Sequence, residues 1–257
     1  MPIKKRFIAA INVKNNLAVQ SINYREYLPL GEVGNFVECY DRWNVDEIFI
    51  QEIDRSAKNL GPNISLIKRI SNLPIKTPII YGGGIKSVTD AINVINSGAD
   101  RVVVGSFFFE NYISIKQISS AVGSQAVIIS LPVITHGHNM FFFNYLKKKL
   151  IKYEDVVKKL EIIKDFFSEI IITDVNNEGV VNNYNLKILT KLQKLKYPII
   201  SYGGIGDNQI KKIINNKKIS AFAIGNFLAF KELNYQKILS KLKINLLRLS
   251  FYSKEIN

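Results

Sequence analysis

Cysteine occurs once in the 257 residues, at Cys39, so no internal disulfide can form and the chain suits a reducing cytosol. Histidine occurs twice, at His136 and His138. A His-x-His pair needs at least a third ligand to hold a metal, and none accompanies it, so a turn is expected there and neither a metal nor a cofactor. No apolar run is long enough to cross a bilayer, and residues 1–7 lead straight into a strand-like segment. We therefore expect no signal peptide, no membrane span and a cytoplasmic location. Acidic residues are also in deficit, 21 against 35 basic ones, a net charge of +14. Nucleic acid is not an expected partner, because no recognised reading motif accompanies that charge. The lysines are instead spread along helical segments (Lys147, Lys148, Lys149, Lys152, Lys158, Lys159, Lys164), as solvated faces require.

What is present is a regular alternation. Eight short runs rich in Ile, Val and Phe lie at 7–13, 47–53, 78–83, 101–106, 126–133, 169–175, 198–203 and 221–225. Near-continuous hydrophobicity suits strands buried on both faces, hence a parallel sheet. Between them, 65–71, 88–97, 153–167, 185–194 and 208–215 carry apolar residues at helical spacing. Eight β-then-α units in a chain of this length predict an α/β fold, a (β/α)8 TIM barrel forming a single domain over 1–257. After the fifth run, 134–143 reads as two short strands around a His-Gly-His-Asn turn.

The chain also repeats itself. Residues 78–85 align with 198–205 at an offset of 120, and the same offset pairs Gly105-Ser106-Phe107 with Gly225-Asn226-Phe227 and run one with run five. Run two pairs with run six at an offset of 122. Two half-barrels, about 1–122 and 123–257, follow. Glycines sit at the C-terminal strand ends in matching sets: Gly82, Gly83, Gly84, Gly105 and Ser106 in one half, Gly203, Gly204, Gly225 and Asn226 in the other. Such loops let backbone N–H groups approach an anion. Two sets across one mouth suit a phosphorylated small molecule with a phosphate at each end.

These segments, in order, resemble a known family. Stretch 6–14, Tyr81-Gly82-Gly83-Gly84-Ile85, 97–102 and 123–127 are similar to the cyclase (HisF) subunit of imidazole glycerol phosphate synthase. The resemblance implies a barrel docked as a heterodimer to a glutaminase (HisH-like) subunit. Ammonia would cross the barrel and attack a bisphosphorylated ribulosyl substrate at the far end. It also implies catalytic acids at Asn12 and Pro132, and neither residue is an acid. Asn12 can hydrogen-bond but cannot exchange a proton near neutral pH, and Pro132 has no polar side-chain group. The lysine of the first mobile loop is replaced by Gln20. General acid–base steps contribute roughly 10²–10⁴-fold each, so the familiar cyclisation should be crippled.

The partner side matches better. The resemblance places an ammonia gate of charged residues at Arg6, Glu47, Arg101 and Glu169, and an interface acid at Asp100. The leading expectation is a paralogue that docks a glutaminase and passes ammonia to another acceptor, such as a surface sugar. One alternative keeps cyclisation with a relocated acid–base pair. Its candidates are Glu52 and Asp174, half-barrel counterparts, with Glu178 at a family acid position. A third is a non-enzymatic phosphosugar-binding barrel.

Overall fold

A computed structural model describes residues 4–137, 139–192 and 195–229. The chain runs along β1 (Arg6–Lys14), turns through a hairpin of β2 (Leu17–Ile22) and β3 (Glu26–Glu32), and returns on α1 (Val33–Arg42) to β4 (Glu47–Glu52). Helices α2 (Arg55–Lys58) and α3 (Ile64–Ser71) lead to β5 (Ile79–Gly82), and α4 (Val88–Asn96) leads to β6 (Arg101–Val104). Helices α5 (Ser106–Asn111) and α6 (Ser114–Val122) then lead to β7 (Val127–His136). The second half opens in the same way, with β7 feeding a hairpin onto β8 (Asn139–Asn144) and β9 (Lys149–Lys152). Next come α7 (Tyr153–Ile162), β10 (Glu169–Asp174), α8 (Lys187–Lys191), β11 (Ile199–Tyr202), α9 (Asp207–Ile214), β12 (Ile219–Ile224) and α10 (Asn226–Ala229).

Parallel pairing runs β1–β4–β5–β6–β7–β10–β11–β12 and back to β1, so eight strands close into a (β/α)8 barrel. Alternation along each strand splits the apolar side chains into two cores. One set, including Ile8, Phe49, Ile80, Val103, Ile128, Ile171 and Ile200, fills the barrel. The other, including Ile48, Ile50, Val102, Val104, Ile170 and Ile172, meets the helices outside. Helix starts are locally encoded. Asn63 caps α3 by accepting from Leu66 N at 3.2 Å, and Ser87 caps α4 by accepting from Asp90 N at 3.0 Å.

Boundaries differ from the sequence pattern in places. The helix expected over 153–167 ends at Ile162, because the chain turns to bury Ile163 and Phe167. The helix expected over 185–194 covers Lys187–Lys191, and its last two expected residues lie outside the described ones. The β2–β3 hairpin has no apolar run to announce it: β3 is mostly exposed and carries Pro29. The turn after β7 is formed, with His136 paired to Asn139, whereas His138 is outside the described residues. No described helix is long and apolar enough to cross a membrane.

The β2–β3 hairpin folds over the barrel mouth and packs on the loop after β10. Gly179 makes this possible: its φ is +79°, and a Cβ there would lie 1.9 Å from the Ser21 carbonyl oxygen. Gly179→Ala should therefore cost at least about 2 kcal/mol, a fall in Tm of roughly 5 °C. Gly137→Ala, at φ +56° with nothing within 4 Å, should cost only the ~1 kcal/mol of left-handed backbone in the same thermal unfolding measurement.

Candidate functional site

Strand parity decides what reaches the mouth. On β4 and β10 the inward positions near the C-terminal end are Gln51 and Thr173, and both line the mouth cavity. Glu52 and Asp174 follow them and share the parity of the outer core. Glu52 is buried, with Oε2 accepting from the Tyr81 hydroxyl at 2.6 Å and Oε1 from Asn63 Nδ2 at 3.0 Å. Asp174 is fully buried and Oδ2 accepts from Asn177 Nδ2 and Asn185 N, both at 2.8 Å. Burial pushes both carboxyls above their usual range. They tie loops to strand ends. Glu52 borders the mouth cavity with both carboxylate oxygens already bonded, and Asp174 is not among the residues that line it. The two therefore do not face one another across the mouth as a relocated acid–base pair would require.

Glu178 arrives differently, from the loop rather than a strand. Its Oε1 accepts from Asn12 Nδ2 at 3.0 Å, and its Oε2 accepts from Ser21 Oγ at 2.8 Å and Tyr24 N at 3.0 Å. Asn12 in turn accepts from the Tyr202 hydroxyl at 3.1 Å. The Asn12 amide thus donates to one neighbour and accepts from the other, which an ionised aspartate at this position could not do. Pro132 borders the cavity on β7, three residues beyond the last pairing with β6 at Ile129. A missing N–H is tolerated where a ladder has ended. Gln20 sits within β2, paired with Leu28.

The cavity itself holds about 230 Å³ and lies to one side of the barrel axis. Its floor includes Phe49, Val103 and Ser130, and its wall carries Gly82, Gly83, Gly84, Gly105 and Ser106. Tyr24 and Tyr27 of the first hairpin meet Tyr145 of the second above it, with the Tyr24 and Tyr145 rings edge-on at 5.7 Å. The equivalent glycine set in the other half, Gly203, Gly204, Gly225 and Asn226, encloses only about 10 Å³. These aromatic residues were invisible as site residues in sequence. Tyr202 alone had a signal, as the bulky counterpart of Gly82 in the 120-residue repeat.

At the opposite end of the barrel, Arg6, Glu47, Arg101 and Glu169 form a closed ring of ion pairs. Arg6 pairs with Glu47 at 2.9 Å and with Glu169, while Arg101 pairs with Glu47 at 3.1 Å and Glu169 at 2.8 Å. Burial alone would raise the Glu169 carboxyl, but the two guanidinium groups outweigh it and hold it below its usual range. Asp100 is exposed on this face and accepts from Ile79 N at 2.7 Å. Beside the ring lies a broad concavity of about 700 Å³ bordered by Lys4, Lys5, Lys196, Lys217 and Lys218.

A family model described as histidine biosynthesis protein matches residues 6–234. The chain belongs to this family. Within it, the chain is 25% identical over 240 residues to an imidazole glycerol phosphate synthase subunit HisF of Natranaerobius thermophilus, covering 92% of this chain and 94% of the relative. Provisionally named members are also similar. One is a HisF subunit of Leptospira borgpetersenii, 29% identical over 235 residues (89% of this chain, 91% of the relative). Another is a hisF2 subunit of Vibrio vulnificus strain YJ016, 30% identical over 206 residues (79% and 75%). The chain is a diverged HisF-like barrel.

Burial pushes the Glu178 carboxyl up to about 7, against hydrogen bonds from Ser21, Tyr24 and Asn12 that pull it down. A carboxyl raised in the folded state contributes stability that is complete below its unfolded pKa near 4.5 and lost as pH rises through the folded value. Wild-type stability should therefore fall by on the order of 3 kcal/mol between pH 4.5 and 7.5 from this group. Glu178→Gln should flatten that slope in denaturant titrations across the range. Asn12→Asp removes the donor and sets a second carboxylate against Glu178. At pH 7.5 it should destabilise the fold by about 1–3 kcal/mol in the same titrations.

Proposed function

We propose that this HisF-like barrel docks a glutaminase on its strand-start face and passes ammonia to an acceptor other than the family's cyclisation chemistry, such as a surface sugar. The observation that carries this reading is the contrast between the two ends of the barrel. The strand-start end keeps a complete ring of two arginines and two glutamates, where an apolar barrel has no need of charge. The mouth has an amide and a proline at the two positions where the family resemblance implies acids.

In this reading the ring offers both donors and acceptors to a neutral ammonia molecule, which enters when one ion pair opens. The aliphatic layer above, with Ile8, Ile80, Ile128 and Ile171, admits the neutral molecule and disfavours ammonium, whose desolvation costs far more. Ammonia would emerge beside Val103, Ser130 and Thr173, on the open side of the mouth. The lysine-bordered concavity next to the ring, with Asp100 on the same face, suits an acidic partner surface.

One observation favours a second reading, retained cyclisation: Glu178 lies 3.0 Å from Asn12 with a carboxyl near neutrality. Three donors already hold its oxygens and it is almost completely buried, which weighs against a role in proton transfer.

Co-purification with a HisH-type glutaminase tests the proposal. The expected result is a one-to-one complex that weakens as salt rises from 50 to 500 mM, about a tenfold or greater stimulation of glutamine hydrolysis, and no cyclised product when ammonia is supplied directly. Absence of both complex and stimulation overturns the proposal and leaves a phosphosugar-binding barrel. Product formed from ammonia and the ribulosyl substrate establishes the second reading instead.

A further inference from the structure

The two half-barrels are alike in sequence and unlike in space. Gly82, Val103, Gly105 and Ser106 surround an opening in the first half, and their 120-residue counterparts are Tyr202, Ala223, Gly225 and Asn226. Tyr202 is buried within the barrel. Its ring stands edge-on to Phe49 at 6.2 Å and its hydroxyl donates to Asn12. Asn226, also buried, donates from Nδ2 to the carbonyls of Ser21 at 2.7 Å and Gly179 at 3.1 Å. Those two bonds draw the lid hairpin and the loop after β10 down onto the second glycine set. What remains there is about 10 Å³, room for roughly one water molecule and none for a tetrahedral anion.

The first set is the reverse. Gly84 N donates to Ser56 Oγ at 3.2 Å at its edge, Gly105 precedes Ser106 on the wall, and the adjoining cavity of about 230 Å³ is open to a ligand. Away from that wall the cavity meets Gln51, Thr173, Ser130 and Pro132, with tyrosines above. None of those four side chains is charged, and the Glu52 carboxylate at the border is already satisfied by Tyr81 and Asn63.

We infer that the mouth takes a small molecule with a single phosphate-class anion, seated at the Gly82–Gly84, Gly105 and Ser106 wall, with a neutral polar body lying over Thr173 and Pro132. Tyr202 and Asn226 are the residues that set this specificity, by filling the space a second phosphate would need. The inference rests on the reading of the matched glycine sets as seats for a phosphorylated small molecule and narrows that ligand from two-ended to one-ended. A ligand so placed holds its neutral end on the side of the barrel where Val103, Ser130 and Thr173 line the way up from the gate.

Calorimetric binding of three matched probes tests this: the bisphosphorylated ribulosyl substrate of the cyclase family and the two monophosphates made by removing either phosphate. One monophosphate should bind wild-type protein within threefold of the bisphosphate or more tightly. Ser106→Asp, which sets a carboxylate in the open cradle, should weaken it at least tenfold. Tyr202→Ser combined with Asn226→Ser should raise the bisphosphate's affinity relative to that monophosphate at least tenfold. A wild-type protein that prefers the bisphosphate tenfold over both monophosphates overturns the inference and leaves the phosphorylated-ligand reading standing; the wild-type ratio decides this even if the double variant fails to fold. Monophosphate binding unchanged by Ser106→Asp overturns the placement. No binding of any probe, or of inorganic phosphate, overturns both the inference and that reading.

Discussion

The mouth of this barrel is organised around one buried carboxylate. Glu178 brings an unneutralised acid among the Asn12 amide, the Ser21 hydroxyl and the Tyr24 backbone N–H, and those three donors come from β1, β2 and the hairpin turn. Burying such a group is costly unless its oxygens are occupied, so each donor is held where it stands. Asn12 then accepts from Tyr202, which carries the same chain of bonds across to β11. Strand, hairpin and loop are coupled through a single side chain. That coupling gives a physical reason for an amide at position 12: unlike an ionised aspartate, an amide donates to Glu178 while accepting from Tyr202.

The same constraint makes the barrel asymmetric. Once the hairpin is held down over the second half, its glycine loops become packing surfaces for Ser21 and Gly179. The first half, whose hairpin counterpart lies beyond β7, keeps its glycine wall facing open volume. A repeated pattern in sequence thus supports an asymmetric mouth. The strand-start end is more regular. Its four charges neutralise one another in a closed cycle, a geometry in which each carboxylate has two partners and each guanidinium two carboxylates. Removing any one member would leave a poorly hydrated charge, which gives the ring a stability role alongside any role in admitting ammonia.

Much of the fold was legible in the sequence because a closed parallel barrel imposes a strong pattern. All eight barrel strands lie within or beside the apolar runs at 7–13 through 221–225, since both faces of each strand are buried. The four charges of the ring were picked out by the family resemblance, and each falls at a strand start. The β2–β3 hairpin did not, because an exposed strand with Pro29 and a register shift has no hydrophobic signature. Nor did the outward direction of Glu52 and Asp174. Each follows an inward residue by one step, and one step on a strand changes face.

The sequence by itself determined the barrel, its two-fold internal repeat and the presence of an amide and a proline at positions 12 and 132. These follow from hydrophobic period, offset and side-chain identity, all properties of the linear chain. The tertiary structure alone decided which half of the mouth is open, which carboxylate ties Asn12 to the hairpin and what holds the lid. Those outcomes depend on contacts between residues more than 150 positions apart, such as Ser21 and Asn12 with Glu178, and Asn226 with Ser21. Nothing local in the chain encodes such a meeting, because it exists only once the barrel has closed.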